Sequence, residues 1–267
     1  MPILHILLVA VIQGITEFLP VSSSGHLILV PLFTGLPDQG LAIDVAVHVG
    51  TLFAVILYFR RDVGMCIAGV PRLLTGHIDT PGSRLAFLLI VATVPVLIAG
   101  AFLKLSGLID LMRSMKVIGW TMILFGLFLY WADRRGPQDR HSGEWSIKDA
   151  VTLGLWQAVA LIPGSSRSGL VISGARALGY DRSSAAKIAM LMSIPTIIAS
   201  GVFLGVELVA TADSAVLRDG LIAAAYSFVA SLFALSLMMR LLRTISYTPY
   251  VIYRVILGLG LLWVAYS

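Results

Sequence analysis

The sequence predicts an all-α integral membrane protein. It reads as a polytopic helical bundle, one membrane domain over 1–267, with an inverted-topology repeat and two re-entrant helix-loop-helix hairpins. Three observations predict it. The chain is 58% hydrophobic and only 12% charged, with a mean hydropathy of +0.94, where a soluble domain carries about 25% charged residues. Long apolar runs recur at 41–59, 85–103, 117–131, 185–206, 221–239 and 251–266, each near the roughly 20 residues that a span needs. Two more apolar regions, 1–35 and 147–180, are interrupted by Gly/Ser-rich polar segments.

The interruptions set the topology. The first region runs apolar to Pro20 and resumes after His26; the second runs apolar to Pro163 and resumes after Gly169. Irregular backbone at membrane depth must be buried in protein or line a wet cavity, so each region is expected to dip in, turn and return. Each hairpin is followed by three spans. That gives repeat 1 over about 1–131, a cytoplasmic linker over about 132–146 and repeat 2 over about 147–267. Gln13 and Gln157 precede the two turns, as in the inverted repeats whose broken helices meet at the midplane.

Loop charges orient the chain, because Lys and Arg favour the cytoplasmic side. Arg60, Arg61, Arg72 and Arg84 place 60–84 inside. Arg134, Arg135, Arg140 and Lys148 do the same for 132–148, as do Arg240 and Arg243 for 240–250. The acidic loop 207–219, with Glu207, Asp213 and Asp219, falls outside, as does 31–40. Loop 104–116 breaks the bias, since it falls outside despite Lys104, Arg113 and Lys116. Tyr58, Tyr130 and Trp131 read as interface residues. No basic n-region or cleavage site marks a removable signal peptide.

Composition also excludes functions. A lone Cys66, read as a buried small residue, rules out a disulfide framework and Cys-rich metal sites. The net charge of +5 lies between apolar segments, without the basic tract interleaved with aromatics that nucleic acid would need.

Chemistry concentrates at the two turns. Glu17 is a carboxylate in an apolar stretch, costly there and functional by default, with Gln13 one turn earlier on the same face. Ser22, Ser23 and Ser24 supply hydroxyls, Gly25 allows a close turn and His26 follows at once. A hydroxyl nucleophile needs a base within reach, and Glu17 and His26 are the local candidates; the competing reading is a serine-rich helix cap. Arg167 is a cation at membrane depth. Around it Gly164, Ser165, Ser166, Ser168 and Gly169 could form an anion-binding nest at a helix start; the competing reading is a structural pair with Glu17. Asp44 and His48 lie one turn apart near the start of the first span, as a supporting pair or a plain interfacial face. His5, His77 and His141 receive no role. An acid, hydroxyls, a histidine and an anion nest together suggest phosphoryl transfer on a lipid. An inverted-repeat transporter or flippase of a lipid phosphate or other anion is the alternative.

At these residues the sequence resembles the undecaprenyl-diphosphate phosphatase, or bacitracin-resistance, family. The first motif reads Gln13-Gly-Ile-Thr-Glu17-Phe-Leu-Pro-Val-Ser-Ser-Ser-Gly-His26 and the second Pro163-Gly-Ser-Ser-Arg-Ser168. Ala185-Ala186, Ser193-Ile-Pro195 and Ile245-Ser-Tyr-Thr-Pro-Tyr-Val-Ile-Tyr-Arg254 extend the likeness over nearly the whole chain. The resemblance implies a multi-pass bacterial inner-membrane enzyme, open to the periplasm. It would remove the terminal phosphate of undecaprenyl diphosphate, recycle the lipid carrier for peptidoglycan synthesis and confer bacitracin resistance. In that reading Arg167 and the Ser165–Ser168 backbone hold the diphosphate, joined by Gln13, Ser22, Ser24, Gly25, Gly164 and Gly169. Ser23 is the preferred nucleophile, Glu17 the base or metal ligand, and His26 protonates the leaving group or itself attacks. A divalent cation, Mg²⁺ or Ca²⁺, would offset the diphosphate charge. The partners are undecaprenyl diphosphate and membrane lipid, and a homodimer is compatible. Two departures stand out. Gln13 replaces a frequent Glu, and Gly169-Leu170-Val171 replaces Gly-Ala-Thr, removing one peripheral hydroxyl contact. Ser24-Gly25-His26 also matches a tripeptide of type-2 phosphatidic-acid phosphatases, whose further Lys, Arg and Asp motifs are missing.

Overall fold

A computed structural model describes residues 1–108, 112, 114–211 and 213–267. The described chain is helical, and no strand forms among these residues beyond a single bridge between Arg140 and Tyr180. In order, the helices are α1 (Ile3–Thr16), α2 (Ser23–Thr34), α3 (Gly40–Tyr58), α4 (Arg60–Leu74), α5 (Pro81–Ser106) and α6 (Met115–Arg135). A 3₁₀ turn at Ser142–Glu144 follows, then α7 (Ile147–Val159), α8 (Arg167–Ala177), α9 (Arg182–Thr211), α10 (Ser214–Leu241) and α11 (Thr248–Tyr266). Six of them, α3, α5, α6, α9, α10 and α11, are long and apolar enough to cross a bilayer. Large apolar side chains such as Phe53, Ile98, Phe102, Leu221, Phe233 and Trp263 face outward. Water would not tolerate that surface, whereas lipid solvates it. The protein is a polytopic helical membrane protein.

Several helix starts have a local cause. Thr80 and Ser83 cap α5 reciprocally, with Pro81 in its first turn. Ser114 caps α6, Ser146 and Asp149 cap α7 reciprocally, and Asp213 accepts from Val216 N at the start of α10. These caps also correct the expected boundaries. The run at 117–131 is a helix of 21 residues, because charged side chains at its ends can reach the interface. The loop expected over 207–219 is almost wholly helix, shared between α9 and α10. Much of the expected loop 60–84 is α4, whose apolar Met65, Ile67 and Leu74 lie exposed between arginines. Cys66 lies on α4 and is half-buried rather than buried. Lys104 sits over the Phe203 ring and Lys116 over the Tyr266 ring, which tempers the charge of the exceptional loop; Arg113 lies outside the described residues.

Packing interlocks the two halves. Helix α1 lies against α10, and α7 lies against α5, so the first short helix of each half rests on a long helix of the other. Helices α6 and α11 cross at Gly119 and Gly258, where a Cβ on Gly258 would meet the Gly119 carbonyl at 2.8 Å. Small residues permit such approaches between helices in lipid. The largest apolar cluster joins Phe18, Leu89, Leu153, Val171, Ile172 and Met190 and packs beneath the two turns. Val171, at the position of the missing hydroxyl, is therefore core.

The linker is fixed by a polar network. Fully buried Arg176 donates to Asp133 and to the carbonyls of Gly136, Pro137 and Tyr180, and Arg182 forks onto Asp133. Arg140 donates to Asp149 at 2.6 Å, and Tyr180 and Ser146 add hydrogen bonds. Burial raises the Asp149 carboxyl, but hydrogen bonds from Arg140 and Ser146 outweigh it and hold it at about 2.

Candidate active site

The turn between α1 and α2 and the turn between α7 and α8 use the same backbone device. Ser22 has φ +73° and Ser166 φ +71°, the two non-glycine residues with positive φ among those described. Each side chain then caps the following helix: Ser22 Oγ accepts from Gly25 N at 3.4 Å, and Ser166 Oγ from Gly169 N at 3.1 Å. Each also meets the hydroxyl two residues on, Ser24 at 3.4 Å and Ser168 at 3.2 Å. The strain of a left-handed serine is thus offset at both turns by a helix cap.

The turns meet. Arg167 donates to Glu17 Oε1, the pairing that was the competing reading of this arginine. The other carboxylate oxygen, Oε2, accepts from Ser23 Oγ at 2.7 Å and from Gln13 Nε2 at 2.9 Å. Glu17 is 7% exposed and Gln13 fully buried. Two buried atoms here have no partner among the described residues, Arg167 Nη1 and Gln13 Oε1. Orphaned buried polar atoms are rare and call for an explanation; here they are a donor and an acceptor beside a reactive pair. Ser168 Oγ donates to Leu19 O at 3.0 Å, and Ser165 Oγ to Ile162 O at 2.6 Å. Ser168 thus ties the second turn to the first, and Ser165 closes on a carbonyl of its own turn. Gly164, at φ +83°, packs on Thr121 and Ile118, where no side chain fits.

His26 is held elsewhere. Its Nδ1–H donates to Ser22 O at 2.7 Å, and its Nε2 meets the Tyr253 hydroxyl at 2.5 Å with the rings stacked. Beneath both turns lies Arg254, fully buried. It donates to Pro20 O at 3.2 Å in the first turn, and to Gly164 O at 3.1 Å and Ser165 O at 2.9 Å in the second. A cleft of about 350 Å³ opens from Glu17 and Arg167 between α3 and α9, past Asp44 and His48 to the apolar Leu41, Val45 and Ile197. A second, of about 250 Å³, reaches Ser24 and Pro163. A third cavity, of about 450 Å³, lies apart, between α4, α5 and Trp145.

The family model described as "Bacitracin resistance protein BacA" matches residues 6–260. The chain belongs to this family. Similar BacA-family relatives are named undecaprenyl-diphosphatase. That of Jannaschia sp. (strain CCS1) is 67% identical over 267 residues, and that of Ruegeria pomeroyi is also 67% identical, each match covering 100% of both chains. That of Chromohalobacter salexigens is 45% identical over 98% of this chain and 99% of the relative.

Set against this BacA-family chain, the sequence reading gathered Gln13, Glu17, Ser23 and Arg167 correctly into one place, but missed what supports them. Arg254 received no role, although a lone charge in the apolar run 251–266 was the signal for one. His48 lies beside the pair, with Nε2 3.7 Å from Glu17 Oε2, as the supporting reading of that residue expects. Among the described residues no three His, Cys, Asp or Glu side chains gather as a metal cage.

Proposed function

We propose that the chain is an undecaprenyl-diphosphatase of the bacterial inner membrane, acting at a site open to the periplasm. It hydrolyses undecaprenyl diphosphate to undecaprenyl phosphate and inorganic phosphate, recycles the carrier for peptidoglycan synthesis and confers bacitracin resistance. The observation that carries the reading is the chain Arg167–Glu17–Ser23, with an unpartnered guanidinium nitrogen at one end and an apolar cleft beside it. A transporter needs the cation, but it does not need a hydroxyl bonded to a carboxylate.

The prenyl tail lies along the apolar part of the cleft, and the two helix pairs dip into the bilayer as re-entrant hairpins of an inverted repeat. Arg167 Nη1 and the first N–H groups of α8 take the terminal phosphate and stabilise the charge that develops in transfer. Ser23 Oγ attacks the terminal phosphorus while Glu17 takes its proton. The bond to the bridging oxygen breaks, and its electron pair leaves with undecaprenyl phosphate. Glu17 gives that proton up to the departing undecaprenyl phosphate or to solvent, then takes one from the water that attacks the phosphoserine and returns it to Ser23 Oγ as inorganic phosphate forms. His26, oriented by Ser22 and Tyr253, serves the leaving group. A Mg²⁺ or Ca²⁺ ion fits the donors present, Glu17 and the orphaned Gln13 Oε1, because Mg²⁺ commonly takes one or two carboxylates plus substrate phosphates rather than a protein cage. When bound it would neutralise diphosphate charge. A homodimer is compatible with this arrangement.

The test is phosphate release from undecaprenyl or farnesyl diphosphate by reconstituted protein. Glu17→Ala and Arg167→Ala should each nearly abolish release and leave the melting temperature in detergent little changed. Full turnover by both variants would sink the assignment, and lipid movement without phosphate release would favour the transporter.

A further inference from the structure

Apart from the hydrolytic site, we infer that the cavity of about 450 Å³ between α4, α5 and Trp145 binds the phosphate headgroup of an anionic phospholipid drawn from the surrounding leaflet. Its wall has two characters. Arg84, near the start of α5, lines it with Lys187 from α9 and Trp145 from the linker. Leu85, Leu88, Ile188 and Leu191 add apolar surface. A wall of this kind suits an amphiphile, with its charge against the cations and the start of a tail against the leucines. Arg84 also lies near the positive end of the α5 dipole, where a cation is disfavoured and an anion is stabilised. The guanidinium and the helix end therefore favour the same sign of ligand.

The charges at the cavity leave one cation over. Asp62 is paired with Lys187 at 2.6 Å, and Asp79 is forked by Arg72 from α4. Arg84 makes a single hydrogen bond among the described residues, from Nη2 to Trp145 O at 3.1 Å. Trp145 is 3% exposed, yet its indole N–H, which can only donate, has no partner among the described residues. Unmet buried donors are rare, and phosphate oxygens supply the acceptors that Arg84 and Trp145 lack. The lipid source follows from the rim. Helix α4 carries exposed Arg60, Arg61 and Arg72 together with exposed Ile67, Val70 and Leu74, a mixture suited to the headgroup layer. The loop charges assign this end to the cytoplasm, where basic pockets between membrane helices take anionic headgroups. A water-soluble anion would gain nothing from the apolar part of the wall.

The test is thermal melting in a neutral detergent with added lipid, together with native mass spectrometry of the lipid that stays bound. Phosphatidylglycerol should raise the wild-type melting temperature by about 4 °C or more. Phosphatidylcholine, and glycerol phosphate as a headgroup without tails, should not. Arg84→Gln should weaken phosphatidylglycerol binding about tenfold or more, and Trp145→Phe should weaken it less. Arg243→Gln, at an exposed arginine outside the cavity, should bind as wild type does. If Arg84→Gln does not fold, Arg84→Lys and Trp145→Phe carry the test, and wild-type binding by both would overturn the site. An equal shift from phosphatidylcholine would show general solvation and overturn it too, while an equal shift from glycerol phosphate would show a soluble anion and overturn the lipid. Unchanged binding by folded Arg84→Gln, or an equal loss in Arg243→Gln, would likewise end the assignment. Phosphate release is a separate readout, so the hydrolytic reading stands or falls independently.

Discussion

The two turns share a backbone and divide the chemistry. Ser22 and Ser166 adopt the same left-handed conformation, cap the same relative glycine and touch the same relative hydroxyl. Gln13 and Gln157 each stand nine positions ahead. What differs is the residue after the serine, Ser23 in one turn and Arg167 in the other, and the residue one helical turn after the glutamine, Glu17 against Leu161. The consequence shows in the glutamines. Gln13 donates to Glu17, whereas Gln157, buried alike, has both amide atoms unpartnered among the described residues. On the proposed assignment one scaffold holds a nucleophile and its base; the other holds the cation. Neither turn is a site alone, because Glu17 Oε1 is paired only across the junction.

The largest effect that would test this division is at the paired positions. On the proposed assignment Ser23→Ala should lower kcat by about 10³-fold or more and leave KM nearly unchanged. Arg167→Lys should keep charge but lose the fork, raising KM and lowering kcat/KM by about 10²-fold. Equal effects on both parameters in both variants would erase the distinction between a chemical turn and a holding turn.

The division was legible where residue type alone carries it. A carboxylate, hydroxyls and an arginine at membrane depth are visible without coordinates, because each is costly there. So were the six long helices, whose apolar length a bilayer dictates. Less legible were the ends, since snorkelling charges hide the last turns of α6 and α10, and since α4 is too polar to register as a span. Arg254 was obscured for another reason. Among the described residues it has no acidic partner, only carbonyls of the two turns and of α6, 89 to 234 residues away in sequence, and no local pattern announces such contacts.

Those contacts give the second test. Arg254→Leu would leave the carbonyls of Pro20, Gly164 and Ser165 without their donor, at about 1–3 kcal/mol each. The melting temperature should drop by many degrees and activity should fall in both turns at once; loss of activity with unchanged melting would show that Arg254 meets substrate instead. The smallest effect concerns how the hairpins are anchored. Helix α7 starts on the Ser146–Asp149 box braced by Arg140, while α1 starts at Pro2 with no side-chain cap. The Asp149 carboxyl is lowered from 3.8 to about 2. Its contribution is therefore full above about pH 4 and lost as pH falls toward 2. Melting in detergent should lose stability across that window, and Asp149→Asn should start lower and be flatter there. An identical acid response in the variant would move the anchor elsewhere.

Arg254 also bears on how the molecule can move. A single guanidinium riveted through both turns makes them one mechanical body, so neither half can rock away from the other at its tip without tearing those bonds. The cleft between α3 and α9, beside His48, is then the approach that leaves those bonds intact.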